Sequence, residues 1–203
     1  MKKKILILLV LIMVIAVSST VLAAENRVAI TSPNQQVQVN FRLQEGIPQY
    51  AVSYQEEQII EPSGLGFKLK NQPDLTGEFE LIKTATREFN NTWEPVWGQK
   101  AEITNHYREL TVYLQEKQPP QRKLRLVFRI YDDGLGFRYI LPEQDKIEEV
   151  EIMAENTEFK LAAENKSWWI RNDWNSYEYD YFEGKSSAIG TASTPVRSEE
   201  HTS

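Results

Sequence analysis

The 203-residue chain contains no cysteine, which excludes disulfides, thiolate nucleophiles and cysteine-bound zinc sites. It carries 29 acidic and 23 basic residues, a formal net charge of −6, so nucleic acid and anionic lipid surfaces are poor partners. The absence of a G-x-S-x-G motif and of a glycine-rich phosphate loop also argues against nucleophile triads and nucleotide sites. Neutral ligands and divalent cations suit this composition better.

The first 24 residues are predicted to be a signal peptide. Lys2 to Lys4 form a basic segment, and Ile5 to Val17 form an apolar stretch that is too short for a comfortable membrane span. Small residues near position 23 predict cleavage there or one residue later, and an uncleaved N-terminal anchor is the alternative. Without three signal lysines the charge is 20 minus 29, or −9. The remaining chain is therefore expected to be periplasmic or secreted and free of the membrane, with one domain over residues 25–196.

Beyond the signal peptide, apolar and polar residues alternate in short runs, which is typical of half-buried β-strands. These runs cover residues 37–43, 49–54, 57–60, 65–69, 79–82, 107–114, 147–152 and 157–161. The clearest pattern is a hairpin over residues 123–141, for which Asp132-Asp133-Gly134 is the predicted turn because glycine takes positive φ readily. No stretch has a helical period. Many short strands separated by turns predict an all-β protein, an antiparallel β-sandwich.

Residues 93–98, Trp-Glu-Pro-Val-Trp-Gly, interrupt the alternation. Pro95 cannot donate a hydrogen bond to a central ladder, so this piece is predicted to be an edge or a loop. Trp93 and Trp97 suit stacking on a pyranose, because sugar C–H groups are weakly positive and the ring face is negative. Packing in the core or over a sheet edge is the commoner use of large aromatic residues, and both interpretations stay open.

The segment from Trp168 to Tyr181 combines aromatic residues with oxygen ligands in an irregular pattern. Loops held on a rigid sheet often carry binding residues. Asp173, Glu178 and Asp180 offer carboxylate oxygens to calcium, a cation that takes six to eight oxygen ligands. Their spacing does not follow an EF-hand, and on spacing alone solvated surface acids are the better explanation.

The last seven residues, 197–203, read Arg-Ser-Glu-Glu-His-Thr-Ser. This run matches the translation of a common sequencing adapter, so we predict a non-native tail. A genuine polar terminus is the alternative, since chain ends are often charged and disordered.

Seven motifs stand in order along the chain, at residues 93–98, 105–110, 128–139, 155–159, 168–170, 176–178 and 194–195. Together they resemble the N-terminal domain of glycoside hydrolase family 97, from about Val28 to Val196. The resemblance implies a galactose-mutarotase-like β-supersandwich that precedes a (β/α)₈ barrel and a small C-terminal β-domain. The family includes periplasmic, calcium-dependent α-glucosidases and α-galactosidases, some inverting and some retaining, with the catalytic carboxylates on the barrel.

The resemblance further implies that residues 25–196 are an incomplete copy of this accessory domain, without catalytic residues, inactive by itself, and joined in cis to a barrel. It implies that calcium is shared with the barrel, and the matching motif at 176–178 assigns Glu178 as the metal ligand. Glu158 and Glu183 are nearby alternatives for that role.

Trp174 and Asn175 precede this motif and are expected at the entrance for an α-linked oligosaccharide substrate. Two alternatives to this hydrolase domain stay open. One is a stand-alone periplasmic sugar-binding sandwich without catalysis, and the other is a structural or adhesive sandwich without a sugar site.

Overall fold

The computed structural model describes residues 26–145, 147, 149–173 and 178–199. Within these ranges the chain forms thirteen β-strands and one short 3₁₀-helix, Ser186–Ala188. The strands are β1 (Arg27–Thr31), β2 (Val37–Gln44), β3 (Ile47–Tyr54), β4 (Glu57–Gly64), β5 (Phe67–Leu69), β6 (Phe79–Trp93), β7 (Ile103–Glu116), β8 (Lys123–Tyr131), β9 (Gly134–Ile140), β10 (Ile152–Glu155), β11 (Lys166–Arg171), β12 (Phe182–Lys185) and β13 (Ala192–Glu199). The prediction of an all-β antiparallel protein is confirmed. Over the same ranges, no helix has the length and apolar character needed to cross a membrane.

Two four-stranded antiparallel sheets, ordered β1-β2-β3-β4 and β6-β7-β8-β9, pack face to face. Their inner faces supply one continuous core, because alternate residues of each strand point to the same side. The innermost side chains include Val39, Phe41, Leu110, Leu126 and Phe128, which are almost fully buried. Two smaller sheets, β10-β5 and β12-β11-β13, complete the described part of the fold.

The predicted central hairpin is β8 and β9, but its turn differs in one detail. Tyr131 pairs with Gly134, so Asp132 and Asp133 alone form the two-residue turn. Gly134 lies outside the positive-φ region, so its conformational freedom does not explain the turn. The glycines with positive φ in the described residues are Gly46, Gly66 and Gly98.

Several strand bounds also differ from the predictions. Strand β6 runs for 15 residues to Trp93, because its second half also pairs with β7. This half was not predicted, because its side chains are exposed and do not alternate between apolar and polar. The strand predicted over 147–152 is wrong except at its last residue, since β10 begins at Ile152. The strand predicted over 157–161 is wrong, because this segment contributes one isolated bridge, between Leu161 and Ile60. Four strands, β1, β11, β12 and β13, lie where no strand was predicted, and β13 includes residues 197–199 of the predicted tail.

The outer faces of the two main sheets differ in chemistry. The β1–β4 sheet presents mainly neutral polar side chains, among them Gln38, Asn40, Gln49 and Ser53. The β6–β9 sheet presents cations and aromatic rings in facing rows across its strands. We call this surface the Arg–Tyr face and define it by Lys83, Arg87, Phe89, Tyr107, Glu109, Tyr113, Arg125, Arg129, Tyr131 and Arg138.

Glu109 is the acid at the centre of the Arg–Tyr face, and it is only 5% exposed. Arg87 donates from Nε and Nη2 to the two carboxylate oxygens at 2.7 and 3.0 Å, and Arg129 Nε donates at 2.8 Å. Burial by itself raises the pKa of the Glu109 carboxyl, but the hydrogen bonds from the two arginines outweigh this and hold the pKa below its ordinary value. The carboxylate is therefore stabilised in its charged form.

Replacing Glu109 with glutamine is expected to lower the free energy of unfolding at pH 7 by about 1.5–3 kcal/mol, the range for hydrogen bonds to charged groups. Because the folded-state pKa is depressed, this stabilisation is complete above the ordinary value of 4.5 and is lost as pH falls through the folded pKa. Urea unfolding at several pH values should show the difference from the original chain narrowing below pH 4.5. Glu80→Gln, at an exposed acid of the same sheet, is the control, and a constant difference at all pH values would contradict the prediction.

Candidate functional site

The small sheet β12-β11-β13 carries the irregular loop that the sequence marked as a candidate site. Ser167 and Ile170 of β11 are buried, and the rings of Trp169 and Phe182 stack with their centroids 6.0 Å apart. The loop between β11 and β12 starts after Arg171, which pairs with Ala192 of β13. Neighbouring strands therefore hold the two ends of the loop.

Two of the three glutamates considered for calcium already engage partners in this chain. Glu158 accepts hydrogen bonds from the Gly64 backbone N–H at 2.7 Å and forms an ion pair with Lys160 Nζ at 2.9 Å. Glu183 pairs with Lys166 Nζ at 2.6 Å and accepts a hydrogen bond from Trp168 Nε1 at 3.0 Å. These donors lower the pKa of both carboxyl groups, with Gly64 dominant for Glu158 and Lys166 dominant for Glu183. Both carboxylates therefore take part in contacts that stabilise the sandwich.

The described part of the loop contains a second acidic contact. Tyr179 donates its hydroxyl proton to Asp173 Oδ2 at 2.7 Å, and this hydrogen bond raises the pKa of the Tyr179 phenol. The Arg171 guanidinium lies 5.8 Å from the centre of the Tyr179 ring and 5.9 Å from that of Phe182. These contacts tie the loop back to β11 and β12 and hold Asp173 partly buried.

Glu178 and Asp180 lie on the exposed side of the same loop. Trp174 and Asn175, the predicted substrate residues, lie outside the described residues. Over the described ranges, no group of three or more histidine or acidic side chains stands close enough to hold a metal ion. The described part of the loop therefore offers hard oxygen donors of the kind that calcium takes.

The other sequence candidate, the tryptophan motif, lies at the tip of the long β6–β7 hairpin. Trp97 is 87% exposed, and Trp93 and Val96 are exposed as well. The packing interpretation is thus wrong for Trp97, and the ring is accessible to another molecule. The sugar-stacking interpretation stays a prediction.

The Arg–Tyr face as a whole was not predicted from the sequence, although a signal for part of it was present. Positions 125, 127, 129 and 131 alternate with the core residues of β8, and they hold two arginines and a tyrosine. Only the register with β6, β7 and β9 shows that further arginines and tyrosines lie beside them.

Comparisons with known proteins identify the domain family of this chain. A family profile described as Glycosyl-hydrolase 97 N-terminal matches residues 30–203. Structures of a glycoside hydrolase family 97 enzyme from Pseudoalteromonas sp. strain K8, in complexes with panose and with acarbose, match at TM-score 0.74 and 29% identity, covering 77% of this chain and 24% of theirs. A β-arabinopyranosidase structure matches at TM-score 0.68 and 25% identity, over 76% of this chain and 26% of that one. This chain thus spans about a quarter of the length of these solved proteins.

Proposed function

Because the chain belongs to the glycoside hydrolase family 97 N-terminal domain family, we propose that it is the N-terminal sandwich of an exported enzyme that hydrolyses α-glucosidic or α-galactosidic bonds. The observation that carries the proposal is the family match over residues 30–203, supported by the shared fold of an enzyme solved with panose and with acarbose. Catalytic carboxylates would belong to a barrel joined to this domain in cis. The domain itself would support the substrate entrance and one side of a metal site.

We place Glu178 in that metal site as the ligand from this domain. Its carboxylate lies on an exposed loop whose ends are held by β11 and β12, so it can face a neighbouring domain. Calcium, when bound, supplies a positive charge that orients carboxylates or polarises a nearby sugar. The motif at residues 176–178 is what assigns the role to Glu178, and Glu158 and Glu183 stay the alternatives.

Trp174 and Asn175 immediately precede this ligand in the chain. We propose that they line the entrance for an α-linked oligosaccharide, because they are close in sequence to the proposed metal ligand. An aromatic ring and an amide would supply stacking and hydrogen bonds to a neutral sugar.

A full-length enzyme that contains this domain provides the test. Glu178→Ala is expected to weaken calcium binding by about tenfold or more, since one charged ligand is lost, while the sandwich stays folded. Calcium titration followed by hydrolysis of a chromogenic α-glycoside measures the change. Glu183→Gln is the matched control, because it removes a carboxylate that pairs with Lys166, and it should leave calcium affinity unchanged.

Unchanged calcium affinity in the Glu178→Ala enzyme would remove this residue from the site. A reading frame that does not continue into a barrel would overturn the hydrolase proposal itself. In that case, binding of a maltooligosaccharide by the sandwich would favour the stand-alone sugar-binding protein.

A further inference from the structure

The Arg–Tyr face has the composition of a protein interface. Interface cores are enriched in arginine and aromatic residues and depleted in lysine, glutamate and aspartate. This face combines four arginines, three tyrosines and a phenylalanine with one lysine and one glutamate, and the other residues in the same rows are small or apolar: Ala85, Thr111, Val127, Gly136 and Ile140. The outer face of the other main sheet, which is rich in glutamine and asparagine, shows no such enrichment.

The cations of the Arg–Tyr face are held in place before any partner arrives. Lys83 Nζ lies 4.6 Å and the Arg125 guanidinium 5.6 Å from the centre of the Tyr113 ring. Arg129 lies 4.8 Å from the centre of the Tyr107 ring while it also binds Glu109. Ordered side chains lose less conformational entropy on association, which favours binding.

The same contacts argue against a sugar ligand on this face. The rings of Tyr107 and Tyr113 already carry cations, which occupy the positions that a pyranose would need for stacking. The two depressions on the face measure about 300 and 210 Å³, at or below the smallest typical ligand pockets of about 300 Å³. A broad, shallow surface of this kind suits another protein surface.

The charge of the Arg–Tyr face indicates the charge of the surface that it can bind. The Arg–Tyr face carries five cations and one acid, an excess of four positive charges, and Glu80 and Lys123 in the next row cancel each other. The chain as a whole is net −6, so this face is the exception. Symmetric pairing of two copies through the face would set arginine against arginine, which is repulsive.

We infer that the Arg–Tyr face docks an acidic surface of the longer polypeptide to which this domain belongs. The inference rests on the proposed function, in which further domains follow in cis. Arg87 and Arg129 form ion pairs with Glu109. Arg125 and Arg138 line the larger of the two depressions, and they supply the positive charge that binds carboxylates of the partner. Docking here orients the sandwich relative to the rest of the enzyme.

Carbodiimide cross-linking of the full-length enzyme tests the inference, because this reagent joins a lysine amine directly to a carboxylate in contact with it. Lys83 is exposed on the face and is the reporter. Mass spectrometry is expected to find Lys83 joined to an aspartate or glutamate beyond residue 203. The double variant Arg125→Glu, Arg138→Glu should reduce the yield by about tenfold, since like charges then face each other.

Arg42→Glu, on the outer face of the other main sheet, is the matched control and should leave the yield unchanged. Circular dichroism of both variants verifies that the sandwich is folded. Cross-links from Lys83 only within the sandwich or to a second copy, or an unchanged yield in the double variant, would overturn the docking inference while leaving the hydrolase proposal standing. A gene that encodes no further domain would instead overturn the proposed function, and the docking inference with it.

Discussion

Replacing Arg122 with methionine is expected to destabilise the sandwich by about 3–5 kcal/mol, because it leaves Glu116 charged and buried without its partner. Arg122 is 1% exposed at the end of the β7–β8 connection. Its backbone N–H and its Nε donate to Glu116 Oε2 at 3.0 and 2.8 Å, and its Nη2 donates to Oε1. Urea unfolding followed by tryptophan fluorescence measures the loss.

The double variant Arg122→Met, Glu116→Leu tests whether the loss of stability comes from the unpaired charge of Glu116 or from lost packing. Replacing a buried ion pair by apolar residues of similar volume is often neutral or stabilising, so most of the lost stability should return. Arg122 Nη1 is also buried without a hydrogen-bond partner among the described residues. Its removal eliminates a costly unsatisfied donor, which favours the recovery of stability. A double variant that is no more stable than Arg122→Met would show that the cost lies in lost packing and not in the orphaned charge.

Truncating Phe128 to alanine is expected to cost about 3–5 kcal/mol, the usual range for a fully buried phenylalanine. Phe128 is 0% exposed at the centre of β8. Its ring centroid lies 6.4 Å from that of Phe41, 6.2 Å from Tyr50 and 5.7 Å from Phe137, so it touches both main sheets. The cavity would therefore open at the point where the sheets meet.

Phe89→Ala is the matched control for this core substitution. Phe89 is 36% exposed on the Arg–Tyr face and stacks on Tyr107 at 5.3 Å, so its truncation should cost clearly less. Denaturant midpoints of the two variants give the comparison. Equal losses would mean that the packing of Phe128 between the sheets does not stabilise the fold more than a surface contact does.

The sequence predicted those strands whose two faces differ in burial. In β2, β3 and β8 the apolar residues alternate with polar ones because one face lies in the core, and these strands were located correctly. The second half of β6 gave no signal, because both of its faces are exposed. Residues 157–161 gave a false signal, since Phe159 is exposed although its neighbours alternate in polarity.

The sequence predicted that the candidate site lies in a loop, but it did not predict how the side chains of the site are arranged. Irregular aromatic and acidic composition located the segment around Glu178. The contacts of the candidate acids include long-range ones, such as that between Glu158 and Gly64, which the spacing of residues along the chain does not reveal. The same holds for Glu109, whose two arginines come from different strands.

Strand β6 also affects how readily this domain associates with other protein chains. Among the described strands it is an edge strand of its sheet, and such edges invite extension by another chain and fibrous aggregation. A bulge between Leu81 and Lys83 breaks the ladder, and charged Lys83, Arg87 and Glu88 follow along the exposed half. Both features discourage β-sheet polymerisation, so the longest open edge of the sandwich carries its own protection against amyloid-like growth.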